Sequence, residues 1–171
     1  MKVKIFPIFV FFIFVIIFFI FFKGLKNNNI YVPNVDLEKD IPLFKTKILG
    51  TNEMVTEKIF ENNQFYLMNI WSSWCIPCRD EHTFLMNLKN QKNIKIVGLN
   101  YKDNYENAKN FLNELNNPYD IILSDNDGTI AIEWGAYGVP ESFLIYNNKI
   151  VKKIIGPINS NSIIKIKNII K

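Results

Sequence analysis

From Phe65 to Trp71 the chain is apolar at every position but Asn69, and after Ser72-Ser73-Trp74 it reads Cys75-Ile76-Pro77-Cys78. A run that short and that apolar reads as a buried central strand. Immediately downstream, Phe84, Leu85 and Leu88 recur at helical spacing up to about Lys89. Pro77 falls in the first turn of that helix, where its missing N–H costs little. A buried strand running straight into an amphipathic helix needs neighbouring strands beside it and helices over its faces. This junction therefore restricts the chain to layered α/β folds.

The rest of the domain extends that pattern. Ile94 to Leu99 reads as a second buried strand, and Glu106 to Leu115 as a helix with Ala108, Phe111, Leu112 and Leu115 on one side. Ile121 to Leu123 is a short strand, Asp125-Asn126-Asp127-Gly128 a turn, and Thr129 to Trp134 a short helix stopped by Gly135. Ser142 to Tyr146 and Ile150 to Ile155 flank Asn147-Asn148, a hairpin signal. From Ser160 the tail is a closing helix with Ile163, Ile166 and Ile170 inward. Phe44 to Leu49 is expected as a short first strand, ended by Gly50-Thr51-Asn52. Alternating strands and helices predict parallel pairing, and the late hairpin adds an antiparallel pair. The expectation is a central mixed sheet flanked by helices.

Ahead of this domain, Ile5 to Phe22 carries no charged residue. At about 1.5 Å per helical residue the run covers roughly 27 Å, close to the hydrocarbon thickness of a bilayer. A cleaved signal peptide has an apolar region of about 7–15 residues and a small-residue cleavage site. This run is longer and ends Phe21-Phe22-Lys23. An uncleaved membrane anchor is expected over 1–23, a linker with Pro33 and Pro42 over 24–42, and one domain over 43–171. Lys2 and Lys4 precede the run and Lys23 and Lys26 follow, so charge alone does not orient it. The net charge of +4 is spread over separate lysines, with Lys152-Lys153 the longest basic run after the N-terminus. That excludes the basic stripe of a nucleic-acid surface.

The chain has two cysteines and one histidine, His82. A structural zinc site needs four ligands, and these residues supply three at most. Haem attachment needs histidine directly after the second cysteine, where Arg79 stands. A redox dithiol fits the strand-to-helix context best. Free N–H groups and the positive helix end favour a thiolate on Cys75, below the free thiol value of about 8.5. Cys75 is then the exposed nucleophile, and Cys78, one turn inward, resolves the mixed disulfide.

The stretch Asn69-Ile70-Trp71-Ser72-Ser73-Trp74-Cys75-Ile76-Pro77-Cys78-Arg79-Asp80-Glu81 resembles the active-site segment of bacterial thioredoxin-like proteins. Three later segments are similar to the membrane-anchored reductases of cytochrome c maturation, the CcmG or DsbE family. They are Gly98-Leu99-Asn100-Tyr101-Lys102-Asp103, Asn117-Pro118-Tyr119, and Gly135-Ala136-Tyr137-Gly138-Val139-Pro140-Glu141-Ser142-Phe143. The resemblance implies a thioredoxin-like fold and a thiol:disulfide oxidoreductase with Cys75 and Cys78 as the catalytic pair. It also implies a groove formed by Trp74, Pro77, Glu81, Tyr137, Val139, Pro140 and Glu141. Pro140 matches the family's cis-proline, which aligns an extended peptide. No bound cofactor or metal is implied, since the dithiol is the redox group.

The implied setting is the periplasmic side of a bacterial inner membrane. Electrons would come from a membrane thiol transporter of the CcdA or DsbD type and pass to apocytochrome c or CcmH. A broader envelope reductase of the ResA or TlpA type is a rival within the same class. A copper carrier on the same fold is a rival from another. Such carriers space their cysteines by three and add a distant histidine, whereas here the spacing is two and the histidine lies four residues past Cys78.

Two departures stand out. Asn69 occupies the place of a buried aspartate that moves protons for the resolving cysteine, so Glu81 or water would have to serve. Ile76-Pro77 replaces the family's Pro-Thr pair. Two further features carry no site. An EF-hand counted from Asp125 would put Ile130 where glycine belongs and Ala136 where glutamate belongs. His82 reads as a helix-surface residue.

Overall fold

The computed structural model describes residues 5–26 and 39–171, without the side chains of residues 5, 8, 25 and 26. The chain divides into two units, Met1–Asn34 and Val35–Lys171. In the first, α1 runs from Ile5 to Lys26 as one helix of 22 residues, and its large apolar side chains are exposed at Phe6 and from Phe9 to Phe22 apart from half-buried Val15. Among the described residues no helix is long and apolar enough to cross a membrane. Most of the expected linker lies outside the described residues.

The second unit opens with β1 (Lys39–Asp40), β2 (Lys45–Lys47), β3 (Met54–Thr56) and a 3₁₀ turn at Glu57–Ile59. It continues as β4 (Phe65–Trp71), α2 (Ile76–Lys89), β5 (Ile94–Tyr101), α3 (Tyr105–Leu115) and β6 (Ile121–Asp125). Then come α4 (Thr129–Glu133), β7 (Glu141–Tyr146), β8 (Lys149–Ile155) and α5 (Ser160–Ile169). The main sheet has the order β1-β8-β7-β4-β5-β6. Strands β4, β5 and β6 are parallel, and β7 turns antiparallel to both β4 and β8. This is the mixed α/β sheet expected from the sequence. Asn147 and Asn148 take left-handed φ values of 48° and 60°, the backbone a two-residue hairpin demands.

Strand β4 sorts its side chains by the two-residue period of a strand. Tyr66, Met68 and Ile70 enter one core with Phe44, Phe60, Trp134 and Phe143. Leu67 and Trp71 enter the other with Leu85, Leu88, Ile96, Phe111 and Ile166. Both faces are thus buried, as a parallel central strand requires. Asn69 shares the parity of Leu67 and Trp71, so it is held on the α2 side at 0% exposure.

The expectation at Phe44 to Leu49 needs correction. Only Lys45–Lys47 is a strand, and it pairs with β3 in a separate two-stranded sheet. Lys45 and Lys47 are exposed and Thr46 alone is buried, a pattern for a cover and not for a central strand. This cover reaches the edge strand β6 through the Ile48–Leu123 bridge and the Leu49 N–H donating to the Ile122 carbonyl at 2.8 Å. An otherwise open edge is closed.

Candidate active site

Cys75 sits at the N-cap of α2, and its sulfur accepts the Cys78 N–H at 3.1 Å. Pro77 occupies the first turn, where it displaces no helical hydrogen bond. Cys75 and Cys78 are joined in a disulfide with their Cα atoms 5.3 Å apart. The expected contrast in exposure needs correction, because in this oxidised form the residues are only 4% and 2% exposed. Both belong to the α2-side core, and Val139 packs against that same cluster. The exposed surface here comes from neighbours: Trp74, Ile76, Pro77 and Tyr137.

The loop that delivers Cys75 is held by the loop after β5. Asp103 accepts the Ser73 N–H at 2.6 Å, the Ser73 hydroxyl at 2.7 Å and the Asn100 amide at 3.0 Å. The Trp74 indole donates to the Lys102 carbonyl at 3.0 Å. Ser72 donates to the Tyr101 carbonyl. Asp103 was not singled out from the sequence as a site residue. The signal was available only as the last position of the Gly98–Asp103 segment.

Behind the dithiol lies a closed polar network. Glu81 is one helical turn past Cys78 on the buried face of α2 and is 1% exposed. Its Oε1 accepts the Asn69 amide at 2.8 Å, and its Oε2 accepts the Ile158 N–H at 2.6 Å. Asn69 also donates to Ser142 Oγ at 3.0 Å and accepts the Tyr119 hydroxyl at 2.8 Å. With the Tyr119 hydroxyl on the amide oxygen, the Asn69 NH₂ faces Glu81 and supplies the donor that a carboxylate accepts. Burial pushes the Glu81 carboxyl up from 4.5 to about 7, against the lowering effect of the Ile158 and Asn69 hydrogen bonds. Tyr119 is raised well above its ordinary value, first by burial and then by nearby Glu81.

Gly98 makes this arrangement possible. A Cβ there would lie 2.9 Å from both the Trp71 indole nitrogen and the Tyr119 ring. Trp71 and Tyr119 stack at 5.4 Å in the space left free.

On the other side, the Val139–Pro140 peptide bond is cis and Pro140 is buried. Glu141 is 2% exposed, and its Oε1 accepts the Tyr137 N–H at 2.9 Å. Its Oε2 makes no aligned hydrogen bond but lies 2.8 Å from the Lys153 ammonium. Glu81 and Glu141, expected to line the groove, are both buried and held by hydrogen-bond or ionic partners.

His82 is corrected likewise. It is 3% exposed, its Nε2 lies 2.7 Å from the Asn116 carbonyl and its ring meets Phe111 edge-on. Burial lowers its pKa from 6.5. Among the described residues, no three or more His, Cys, Asp or Glu side chains gather closely enough to hold a metal.

A dithiol at the N-cap of a helix, on a mixed sheet and beside a cis-proline loop, defines a thioredoxin-like redox domain. The chain belongs to the Redoxin family, whose profile matches residues 37–169. It is 42% identical over 115 residues to the thiol:disulfide interchange protein DsbE of Tatumella citrea, covering 67% of this chain and 62% of that one. It is 49% identical over 92 residues to the thiol:disulfide interchange protein CycY of Rhizobium leguminosarum, covering 53% and 50%. The matches thus span between half and two thirds of those two relatives. Among solved structures, the thioredoxin domain of a thiol-disulfide oxidoreductase from Bacteroides vulgatus superposes with a TM-score of 0.67 at 19% identity, covering 79% of this chain and 98% of that one.

Proposed function

We propose that this protein is a membrane-anchored dithiol reductase that keeps the haem-attachment cysteines of apocytochrome c reduced, directly or through CcmH. The observation that carries the reading is the Cys75–Cys78 pair at the start of α2, backed by the buried Glu81 carboxyl. Relatives named as thiol:disulfide interchange proteins support the chemistry. The uncharged apolar run from Ile5 to Phe22 in the sequence supports an inner-membrane anchor, with the dithiol on the periplasmic side. A membrane thiol transporter of the CcdA or DsbD type would return the Cys75–Cys78 disulfide to the dithiol. No bound cofactor takes part.

The reaction balances without other reagents. The Cys75 thiolate attacks one sulfur of the substrate disulfide, a mixed disulfide forms, and the other substrate sulfur leaves as a thiolate. Negative charge on Cys75 is favoured by the helix start and the Cys78 N–H. Glu81 then takes the Cys78 proton, and the Cys78 thiolate attacks the Cys75 sulfur. The substrate's second thiolate departs, leaving the Cys75–Cys78 disulfide. Two electrons have passed to the substrate.

A Cys78→Ser variant stops this sequence at the mixed disulfide. Capture of apocytochrome c or CcmH through Cys75 is the expected result. Capture of unrelated envelope proteins alone would make it a general reductase.

A further inference from the structure

Lysine is rarely interior, yet the Lys153 side chain on β8 is 4% exposed. Its ammonium lies 2.8 Å from Glu141 Oε2 and donates to the Gly135 carbonyl at 2.7 Å. It also sits 4.2 Å from the centre of the Tyr137 ring and 5.4 Å from that of Phe143. Gly135 lies near the start of the loop between α4 and β7, and Glu141 is the first residue of β7. The residues between them include Tyr137, Val139 and cis-Pro140. Glu141 reaches back into the same loop through the Tyr137 N–H. One ammonium and one carboxylate thus close the loop at both ends and at its middle.

Nothing in the sulfur chemistry needs an ammonium at this position. Desolvating such a pair is costly, and packed apolar residues would fill the space at least as stably. What the pair does supply is a defined loop. Tyr137 stays 69% exposed with one ring face held by Lys153, a cation–π contact that fixes its direction. Val139 packs against the core cluster that contains both cysteines and against the core on the other face of the sheet, so the loop spans the sheet end between the two.

We propose that Lys153 is a positioning residue for substrate recognition: with Glu141 it holds the 135–140 loop so that Tyr137 and Pro140 present a preformed edge to an extended, disulfide-bearing polypeptide. This rests on the dithiol-reductase reading. A small disulfide needs only the sulfurs, whereas a polypeptide also needs the edge. Binding energy lost at a remote edge appears in KM, with the chemical step unchanged.

The test uses the full chain in detergent micelles, pre-reduced, against two substrates: a disulfide-bonded peptide and bis(hydroxyethyl) disulfide. Lys153→Met is expected to lower kcat/KM for the peptide about tenfold through KM, with the small disulfide reduced within about twofold of the wild-type rate. Lys153→Arg, which retains the cation, is expected to restore most of the peptide rate. If Lys153→Met does not fold, the double variant Lys153→Met/Glu141→Gln removes both charges together and should show the same peptide-only loss. A parallel fall on both substrates, or an unchanged peptide KM, would overturn the proposal. Failure of the underlying reading looks different, since wild type would then reduce neither substrate.

Discussion

Two buried carboxylates, Glu81 behind the dithiol on α2 and Glu141 at the start of β7, have surroundings that differ. Glu81 receives two neutral N–H donors, and among the described residues it forms no ion pair. Its charge is left costly, so burial raises its proton affinity to the range where it exchanges a proton near pH 7. Glu141 is as deeply buried but faces the Lys153 ammonium. That pairing makes it part of a clamp.

The largest expected effect tests the clamp. Lys153→Met alone leaves Glu141 buried without its cation and should cost about 3–5 kcal/mol, read from urea unfolding. Adding Glu141→Gln should return most of that loss. Equal losses in the single and double variants would mean the two charges are not coupled, and the contrast with Glu81 would collapse.

Glu81→Gln should act in the opposite direction. The folded-state pKa of Glu81, about 7, lies above its unfolded value of 4.5. Between these values the folded state binds more protons, so stability is full below pH 4.5 and falls as pH rises to about 7. The glutamine variant should therefore match wild type at pH 4 and exceed it at pH 8 by about 3 kcal/mol. It should also resolve a preformed mixed disulfide about 100-fold more slowly at neutral pH. In stopped-flow, wild type should speed up as pH rises through about 7. A Gln variant that keeps this dependence would remove Glu81 from the proton path.

What the sequence disclosed follows from how local each signal is. Strand β4, helix α2 and the Asn147-Asn148 hairpin match their expected bounds closely, because periodicity, a first-turn proline and left-handed asparagines act within a few residues. Strands β1 and β3 were not foreseen, being two and three residues long and held by pairing alone. The strand within Phe44 to Leu49 is shorter than expected for a related reason: Lys45 and Lys47 dilute any burial signal, and its partners are Met54–Thr56 and an edge of β6. The cysteine pair could be read directly. The burial of Glu81 could not, since its second donor, Ile158, is 77 residues away. Glu141 depends in the same way on Lys153, and His82 on the carbonyl of Asn116. Charged residues are called exposed by default, and only tertiary partners reverse that.

The smallest effect is the sharpest probe of the Glu81 side. Tyr119 donates to the Asn69 amide oxygen at 2.8 Å and so favours the orientation in which the amide nitrogen faces Glu81. Tyr119→Phe keeps the ring stacked on Trp71 and removes only that hydroxyl. The amide is then free to turn and offer Glu81 its oxygen, which favours the protonated carboxyl. Losing one hydrogen-bond donor is worth about 1 kcal/mol, so the midpoint of the resolution rate should move upward by up to about 0.7 pH unit. Glu141 shares no hydrogen bond with this network, and the peptide KM should stay as in wild type. A downward movement, or none, would show that Asn69 keeps its orientation through Ser142 alone.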